Sequence, residues 1–353
     1  MRVGYFPYKP GGNPFQSLFS EALESAGNEV IRIAPEKWFP LQKLSQHDTD
    51  IVQLDWPHDW YRGRNVATAI VKQLMYREGL RRFRKRPVVW TAHNLVAHDA
   101  EDVDFEKAMI QKLIDVTDGI IVMSERSKAQ LAEVYSVPAS TVVKVIPHGH
   151  YVDVYENNTD RGTSRKHLGL PQEAKIALSL GRIMPYKGLE ELIVAHGEVS
   201  EPGSLLVIAG SCSSNAYVEK LKALAAKNTT AQSTIRIDAG FIDDTDLQFY
   251  FNAADFIALP FRQILNSGSL MLAMSFGKCV LAPDIGSIRE VVCQEGWLSY
   301  SADASNGLHQ ALAKCYQWDG VEQRERQVKA YVLQNYGWES IGKCASDLYQ
   351  AIS

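Results

Sequence analysis

The sequence predicts an α/β protein with two doubly wound domains, each built on a parallel sheet. Short apolar runs alternate with segments of helical periodicity, and the alternation starts again after a polar stretch near the middle of the chain. A length of 353 residues also suits two domains rather than one. The predicted domains are 1–155 and 156–335, and the amphipathic segment 336–353 is predicted to pack back on the first domain.

In the first domain, each predicted strand is a short apolar run bounded by turn-forming residues. The predicted strands are Val3–Phe6, Glu29–Ile33, Ile51–Leu54, Pro87–Thr91, Gly119–Met123 and Val142–Ile146. The helices predicted between them are Phe15–Ala26, Ala67–Phe83, Phe105–Val116 and Ser127–Tyr135. The next segment, Tyr151–Arg165, is rich in Asn, Thr and Gly, and it is predicted to be a polar linker.

The second domain repeats the pattern. Its predicted strands are Ile176–Leu180, Ser204–Ala209, Thr234–Ile237, Phe256–Leu259, Cys279–Ala282 and Trp297–Tyr300. Its predicted helices are Glu190–His196, Ala216–Ala226, Asp244–Ala253, Ser269–Phe276, Ser305–Gln317 and Val321–Asn335. Because α/β proteins bind ligands at the carboxyl ends of their strands, two such domains in tandem predict a ligand cleft between them.

The composition is that of an ordinary globular protein, with 46% hydrophobic and 22% charged residues. A net charge of −4 gives no reason to expect a nucleic-acid partner. The first residues enter a strand directly and no apolar run reaches 18 residues, so neither a signal peptide nor a membrane span is expected. Five cysteines without ligand spacing indicate reduced thiols, and we therefore expect a cytoplasmic protein.

The stretch from Leu180 to Leu189 has the residues that a diphosphate site requires. Gly181 ends an apolar run and allows the backbone to approach a ligand. Arg182 can bind phosphate oxygens through two N–H groups, and Lys187 adds a second cation before the next helix. The alternative is an ordinary turn between a strand and a helix, with two solvated cations.

A second stretch, Asn266-Ser267-Gly268-Ser269, leads into the apolar helical run Leu270–Phe276. Ser and Asn are favoured helix N-caps, and Gly268 has no side chain that could block a phosphate. The free amides and partial positive charge of a helix start attract anions. The alternative is a capped helix without a ligand.

The chain resembles GT-B-fold nucleotide-sugar glycosyltransferases of the glycogen-synthase-like, or group 1, superfamily. The resemblance rests on the order and spacing of several motifs along nearly the whole chain. They are Gly181-Arg182 with Lys187-Gly188, Gly240-Phe241-Ile242-Asp243-Asp244, Ala253-Ala254-Asp255 before Leu259-Pro260, and Ala273-Met274-Ser275-Phe276-Gly277 with Val280, Gly286 and Glu290. It implies two Rossmann-like domains facing a central cleft, the first binding the acceptor and the second the nucleotide sugar.

The resemblance also implies roles for single residues. Phe241 and Ile242 would lie beside the nucleobase, although an ordinary strand exit is an equal alternative. Gly12, in Gly11-Gly12-Asn13-Pro14, would face the donor phosphates, unless this sequence is only a tight turn. The family usually carries two glutamates that bind the sugar and the ribose, and here those positions are Ile264 and Leu272. The chain is therefore interpreted as a variant that lacks the paired glutamates.

The segment from Thr91 to Asp102 is the densest polar cluster at a predicted strand end. A base that deprotonates a sugar hydroxyl is a carboxylate or an imidazole within hydrogen-bond reach. The candidates are Asp99, which we prefer, then His98, Glu101 and His93. The alternative is that one histidine orders the loop and the acidic side chains are solvated. His148 and His58 are predicted on the acceptor side, His58 between two tryptophans.

His-x4-His-Asp in the same segment could bind a metal ion, but no further ligand cluster is evident and GT-B transferases generally need none. We therefore expect neither a metal ion nor another cofactor. The family pattern implies retention of anomeric configuration. The missing glutamates and the acid-rich segment favour inversion slightly.

The segment Lys72–Arg86 is strongly basic in an otherwise acidic protein. A basic amphipathic helix is typical of elements that bind anionic membrane surfaces. The residues assigned to this surface are Arg77, Arg81, Arg82, Arg84, Lys85 and Arg86. The alternative is a solvated helix face. If the segment does bind a membrane, the protein is expected to be peripheral on the inner face of that membrane.

The sequence thus predicts a metal-independent glycosyltransferase that moves a hexosyl group from a UDP- or GDP-linked donor to a saccharide acceptor. A lipid-linked acceptor in surface polysaccharide or glycolipid assembly fits both the basic helix and the family. The alternatives are a phosphorylase or epimerase on the same fold, and a non-catalytic sugar-binding relic. The apolar residues Ile264 and Leu272 support the relic.

Overall fold

A computed structural model of the chain describes residues 1–9, 13–35, 41, 44, 46–63, 65–82, 86–97, 100, 102–230, 233–291 and 297–353. For Val66 and Arg82 it describes the backbone alone. The chain divides into two compact units. The first contains Met1–Gly149 and Tyr336–Ser353, and the second contains His150–Asn335.

The first unit contains a parallel sheet in the order β2-β1-β3-β4-β5-β6. Its strands are β1 (Arg2–Phe6), β2 (Glu29–Arg32), β3 (Ile51–Leu54), β4 (Val88–Thr91), β5 (Gly119–Val122) and β6 (Val142–Val145). Its helices are α1 (Phe15–Ser25), α2 (Val66–Arg82), α3 (Val103–Ile114), α4 (Glu125–Val134) and, at the end of the chain, α12 (Trp338–Ile352). Short 3-10 turns, such as Pro57–Trp60, complete it.

The second unit contains a parallel sheet in the order β12-β11-β10-β7-β8-β9. Its strands are β7 (Lys175–Leu180), β8 (Ser204–Gly210), β9 (Ser233–Ala239), β10 (Phe256–Ala258), β11 (Val280–Pro283) and β12 (Trp297–Tyr300). Its helices are α5 (Arg161–His167), α6 (Leu189–Val199), α7 (Asn215–Asn228), α8 (Leu247–Ala253), α9 (Gly268–Ser275), α10 (Gly307–Tyr316) and α11 (Val321–Asn335).

Both sheets have apolar side chains on their two faces, as sheets covered by helices on both sides require. Each unit accordingly has two buried clusters, one on either face of its sheet. The central strands β3, β4, β8 and β11 are buried along their whole length, whereas the edge strand β6 alternates between exposed and half-buried residues. The continuous apolar runs of the sequence are therefore the central strands.

Side-chain caps fix several of the helix starts. The side chains of Asp102, Ser124, Ser214 and Ser267 each accept a hydrogen bond from the amide three residues further on. Such a cap satisfies one of the amides that a helix start leaves without an intrahelical partner.

The prediction of a linker over Tyr151–Arg165 is wrong in its last third, which belongs to helix α5. Asp160 caps this helix by accepting from Thr163 N at 2.8 Å. The buried Arg165 side chain donates to the Ala253 carbonyl oxygen at 3.0 Å and to the Asp255 carboxylate at 2.9 Å. Tertiary contacts of a charged residue, rather than an apolar face, therefore hold α5 in place.

The boundary between the units also lies earlier than position 155. Tyr151 N donates to Ser275 Oγ at 2.8 Å, and Val152 and Tyr155 pack against the apolar cluster of the second unit. Residues 150–155 therefore belong to the second unit.

Helix α12 packs against α1 of the first unit. A Cβ atom built on Gly342 would lie 2.2 Å from the Ala22 carbonyl oxygen, so the two helix backbones are in close contact. Ile341, Leu348 and Tyr349 of α12 are buried in the apolar cluster that contains β1 and α1. Of the helices described, none has the length and apolar character needed to cross a bilayer.

Candidate active site

Strand β7 ends in a glycine turn that brings a lysine ammonium against the backbone. Gly181 has a φ of +119°, a conformation that L side chains rarely adopt. A Cβ atom built on Gly181 would lie 2.7 Å from Lys187 Nζ and 3.5 Å from Ser269 Oγ. Because glycine stands at this position, Lys187 and Ser269 can approach each other at the carboxyl end of the strand.

Lys187 is a buried cation with a poor set of partners. Its residue exposure is 5%, and its hydrogen bond to the Leu180 carbonyl oxygen is long, at 3.5 Å. Burial is the larger cause and the neighbouring charge of Arg182 the smaller one, and together they lower the pKa of Lys187 to about 8. In the part of the chain that the structure describes, Lys187 forms no salt bridge with a carboxylate. A bound anion would compensate both the lost hydration and the repulsion.

The start of α9 lies beside this lysine. Ser267 is the N-cap and its Oγ accepts from Leu270 N at 3.1 Å. The other amides of the first turn have no intrahelical acceptor and carry partial positive charge. The structure therefore brings Ser269 together with Gly181 and Lys187, while Arg182 is exposed next to them.

In the first unit, His93 and His148 lie around one aromatic ring. The Phe15 ring centroid is 4.8 Å from that of His93 and 5.1 Å from that of His148. His93 Nε2 is 3.1 Å from Asp55 Oδ1. Burial lowers the pKa of His148 to about 4, and its Nδ1 donates to the Gly149 carbonyl oxygen at 2.7 Å. His148 is therefore neutral near pH 7.

His58 belongs to a separate polar cluster. Its Nδ1 lies 3.0 Å from Glu106 Oε2 and 2.9 Å from the Tyr61 hydroxyl. Glu106 also accepts from Tyr61 at 2.7 Å and from Arg62 Nε. Burial acts to raise the pKa of Glu106, but the hydrogen bonds from His58, Arg62 and Tyr61 outweigh it, so the pKa is lowered. These contacts tie the turn after β3 to α3, and they occupy the His58 side chain.

Several residues that the sequence assigns to a site lie outside the described residues, so their roles stay predictions. They are Gly12 of the donor group, His98, Asp99 and Glu101 of the catalytic group, and Arg84 and Lys85 of the membrane group.

Comparison with known proteins decides the family. Residues 160–330, which contain the whole lysine site, match the model of the family described as glycosyl transferases group 1. These 171 of the 353 residues, which form most of the second unit, belong to this family. The resemblance inferred from the motifs is thereby confirmed.

Two curated relatives of this group 1 glycosyltransferase are informative. The GDP-mannose:glycolipid 4-beta-D-mannosyltransferase of Xanthomonas campestris pv. campestris is 26% identical over 279 residues, which cover 77% of this chain and 70% of that protein. The D-inositol 3-phosphate glycosyltransferase of Corynebacterium efficiens is 28% identical over 283 residues, covering 74% of this chain and 65% of that protein.

Solved structures share the fold over the whole chain. Sucrose-phosphate synthase from Thermosynechococcus elongatus superposes with a TM-score of 0.74 at 19% identity, covering 99% of this chain and 98% of the other. HepE of Anabaena, solved in complex with UDP and glucose, gives a TM-score of 0.72 at 16% identity, covering 99% and 100%. Together with the two parallel sheets, these similarities confirm the predicted GT-B fold class.

The two positions at which the resemblance implies glutamates, 264 and 272, are apolar in packing as well as in sequence. Ile264 is 8% exposed and belongs to the main apolar cluster of the second unit, and Leu272 packs against that cluster. Neither side chain can accept a hydrogen bond from a sugar or ribose hydroxyl. A nucleotide sugar bound here would therefore have to be held through other groups.

Phe241 and Ile242, predicted beside the nucleobase, follow the end of β9. The Phe241 side chain is 82% exposed, whereas Ile242 packs against the apolar cluster of the second unit. A largely exposed phenyl ring at the carboxyl edge of a sheet is a surface on which a base can stack.

Sequence reasoning missed Arg262, which braces the lysine turn. Its guanidinium donates to the Glu191 carboxylate at 2.7 and 2.8 Å, to Glu190 at 3.1 Å and to the Pro185 carbonyl oxygen at 2.9 Å. Its backbone amide donates to the Tyr186 carbonyl oxygen at 2.8 Å. The signal in the sequence was the acidic pair Glu190-Glu191. It lies 72 and 71 residues before Arg262, and a local pattern cannot pair residues that far apart.

The basic segment is only partly a helix surface. Arg77 and Arg81 are exposed on α2, which ends at Arg82. Arg86 lies beyond the helix, where it donates to Thr49 Oγ1 at 2.8 Å and to the His47 carbonyl oxygen. Within the described ranges, no group of three or more His, Cys, Asp or Glu side chains is placed to hold a metal ion.

Proposed function

We propose that this protein transfers a hexosyl group from a nucleoside diphosphate hexose to a hydroxyl of a saccharide acceptor. The buried Lys187 ammonium carries the proposal, because it lies against Gly181 and the start of α9 without a compensating carboxylate among the described residues. The leaving diphosphate carries the charge that this position lacks. Lys187, Arg182 and the amides of α9 would stabilise that charge as the bond to the sugar breaks.

The donor would be held by the second unit and the acceptor by the first. The name of the Xanthomonas relative supports a GDP-linked hexose as donor, with a UDP-linked hexose as the alternative, and a lipid-linked saccharide as acceptor. An acceptor of this kind fits surface polysaccharide or glycolipid assembly. We favour inversion with a side-chain base in the 93–102 segment, since positions 264 and 272 supply no carboxylate.

The test is a titration calorimetry series with GDP and UDP in the presence of EDTA. Arg182→Ala and Lys187→Ala should each weaken the binding of the preferred nucleotide by about 1.5–3 kcal/mol, or roughly 10- to 150-fold. The control is Lys222→Ala, which removes an exposed lysine whose partner is Glu219, at 3.0 Å. Unchanged affinity in both site variants would contradict the donor site, and binding abolished by EDTA would contradict metal independence.

A sugar-binding protein that has lost catalytic activity is the second candidate, and the burial of Ile264 in the apolar cluster favours it. It predicts nucleotide binding without release of hexose from GDP-mannose or UDP-glucose. A phosphorylase would release sugar with inorganic phosphate in the absence of nucleotide.

We further propose that α2 holds the protein against anionic membranes. Ile70 and Leu74 are 52% and 59% exposed, and they share one helix face with the exposed Arg77 and Arg81 at i, i+4, i+7 and i+11 spacing. Apolar side chains would enter the headgroup region while each cation contributes about 1 kcal/mol near an anionic surface. The competing account is a solvated face, in which Arg81 pairs with Glu78 at 3.8 Å.

Liposome co-sedimentation distinguishes the two accounts. Wild-type protein should bind vesicles that contain phosphatidylglycerol at low salt and dissociate as salt rises, since the Debye length is about 10 Å at roughly 0.1 M. Arg77→Glu combined with Arg81→Glu should abolish binding. The matched control is Lys128→Glu with Lys144→Glu, which reverses two exposed charges on other elements of the same unit. A wild-type protein that stays in the supernatant at low salt would remove the membrane proposal.

A further inference from the structure

The imidazole of His93 is held at the carboxyl end of β4 by a carboxylate at the end of the neighbouring strand. His93 Nε2 is 3.1 Å from Asp55 Oδ1, and the residue Asp55 is fully buried. The other carboxylate oxygen, Oδ2, accepts from the Tyr5 hydroxyl at 2.5 Å. Tyr5 belongs to β1, so three adjacent parallel strands supply the three side chains.

Aromatic rings fix the plane of this imidazole. The Trp56 indole stacks on His93 with ring centroids 4.1 Å apart and an angle of 13° between the planes. Phe15 contacts the same ring edge-on, at 86°. Trp56 has a φ of +36°, a left-handed conformation that costs energy for a residue with a side chain. The chain therefore adopts a strained backbone at the residue that stacks on His93.

The charge around Asp55 differs from that around the other carboxylate–histidine pair of the unit. Glu106 accepts from Arg62 as well as from His58, so a permanent cation neutralises it. Among the described residues, the salt-bridge partner of Asp55 is His93 alone. A proton taken up by His93 would thus create the cation that a buried carboxylate needs.

We propose that Asp55 is a positioning residue that presents His93 as the base of the transfer reaction. The inference rests on the proposed function. An ionised carboxylate can only accept, so Nε2 of the neutral ring carries the hydrogen and Nδ1 is the acceptor. Nδ1 takes the proton of the acceptor hydroxyl as its oxygen bonds to the anomeric carbon. The bond from that carbon to the diphosphate breaks, the diphosphate leaves with the electron pair, and Asp55 stabilises the imidazolium.

Tyr5 has a supporting role in this arrangement, and the chain contains a matched control for it. Tyr349 is also fully buried, but its hydroxyl donates to Gln53 Oε1, at 2.8 Å, and not to Asp55. Tyr5→Phe and Tyr349→Phe each remove one buried hydroxyl from the same region. Only the first removes a hydrogen bond to Asp55.

The first experiment is ¹⁵N NMR of histidine-labelled protein at a pH where the His93 ring is neutral, with His93→Gln identifying the signals. Wild type should show the Nε2–H tautomer, and Asp55→Asn should lose or mix it. Tyr349→Phe should leave it unchanged. An Nδ1–H tautomer in wild type, or an unchanged spectrum in Asp55→Asn, would overturn the proposal without reference to any substrate.

The second experiment is a double-mutant cycle on the transfer of hexose from GDP-mannose to octyl glucoside as the acceptor probe, followed as release of GDP. Asp55→Asn and His93→Ala should each lower kcat about 100-fold, with the KM for donor little changed, and the double variant should be no slower than His93→Ala. Added imidazole should restore activity to His93→Ala. Additive losses would show a merely structural role and overturn the proposal. Absence of turnover in wild type, by contrast, would count against the proposed function itself.

Discussion

At the scale of single residues, we expect the buried Lys187 to lower the free energy of unfolding, although it contributes to donor binding. Its pKa of about 8 lies below the value near 10.4 that lysine has in an unfolded chain. The folded state therefore favours the neutral amine, and a difference of this size corresponds to about 3 kcal/mol against the folded state at pH 7. Lys187→Met should raise the free energy of unfolding at pH 7 by up to about that amount, while it weakens nucleotide binding as Lys187→Ala does.

The pH dependence fixes the sign of this effect. Below pH 8 both states of wild type hold the proton, and the full cost is present. Between about pH 8 and 10.4 only the unfolded state retains it, so the free energy of unfolding of wild type should rise toward that of the variant. Urea denaturation at pH 7 and 9.5, without nucleotide, measures both values. A variant less stable than wild type at pH 7 would refute the prediction, and the exposed Lys222→Met should change neither value.

At the scale of elements, Asp255 joins α5, β7 and β10 of the second unit. Its carboxylate accepts from Arg165 at 2.9 Å, from Arg161 at 3.2 Å and from Ile176 N at 2.7 Å. Asp255→Ala would leave the buried Arg165 guanidinium without its counter-charge. We expect a loss of about 3–5 kcal/mol in the free energy of unfolding. Removing Glu219 from its exposed pair with Lys222 should cost less than about 1 kcal/mol in the same assay.

The same network explains which elements could be predicted from the sequence. The apolar strands were predicted to within a few residues, because burial on both faces of a sheet leaves a continuous apolar run. Helix α5 has the sequence Arg-Gly-Thr-Ser-Arg-Lys-His, which contains no apolar periodicity. Its one local signal was the Asp160 cap. Its main support, Arg165 bound to Asp255, spans 90 residues of sequence and cannot be inferred from a local pattern.

At the scale of the whole molecule, the two units differ in how much of their site the sequence contains locally. The lysine site consists of two short stretches, each with its own glycine and its own polar groups, and phosphate chemistry is recognisable in each. The His93 arrangement brings together Tyr5, which lies in the first apolar run, with Asp55 and Trp56, which both follow the run Ile51–Leu54. Asp55 was missed because a carboxylate after a strand is usually solvated, and its burial depends on strand order.

Because each unit has its own apolar clusters, we expect the two to respond separately to perturbation. Asp255→Ala should speed amide hydrogen exchange in α5, β7 and β10. Gly342→Leu would place a side chain against α1, because a Cβ atom at this position would lie 2.2 Å from the Ala22 carbonyl oxygen. This variant should instead speed amide hydrogen exchange in α1 and α12. GDP or UDP should protect β7 and α9 in wild type and in Gly342→Leu alike. Hydrogen exchange followed by mass spectrometry measures all of these, and a variant that speeds exchange throughout both units would show that they unfold as one.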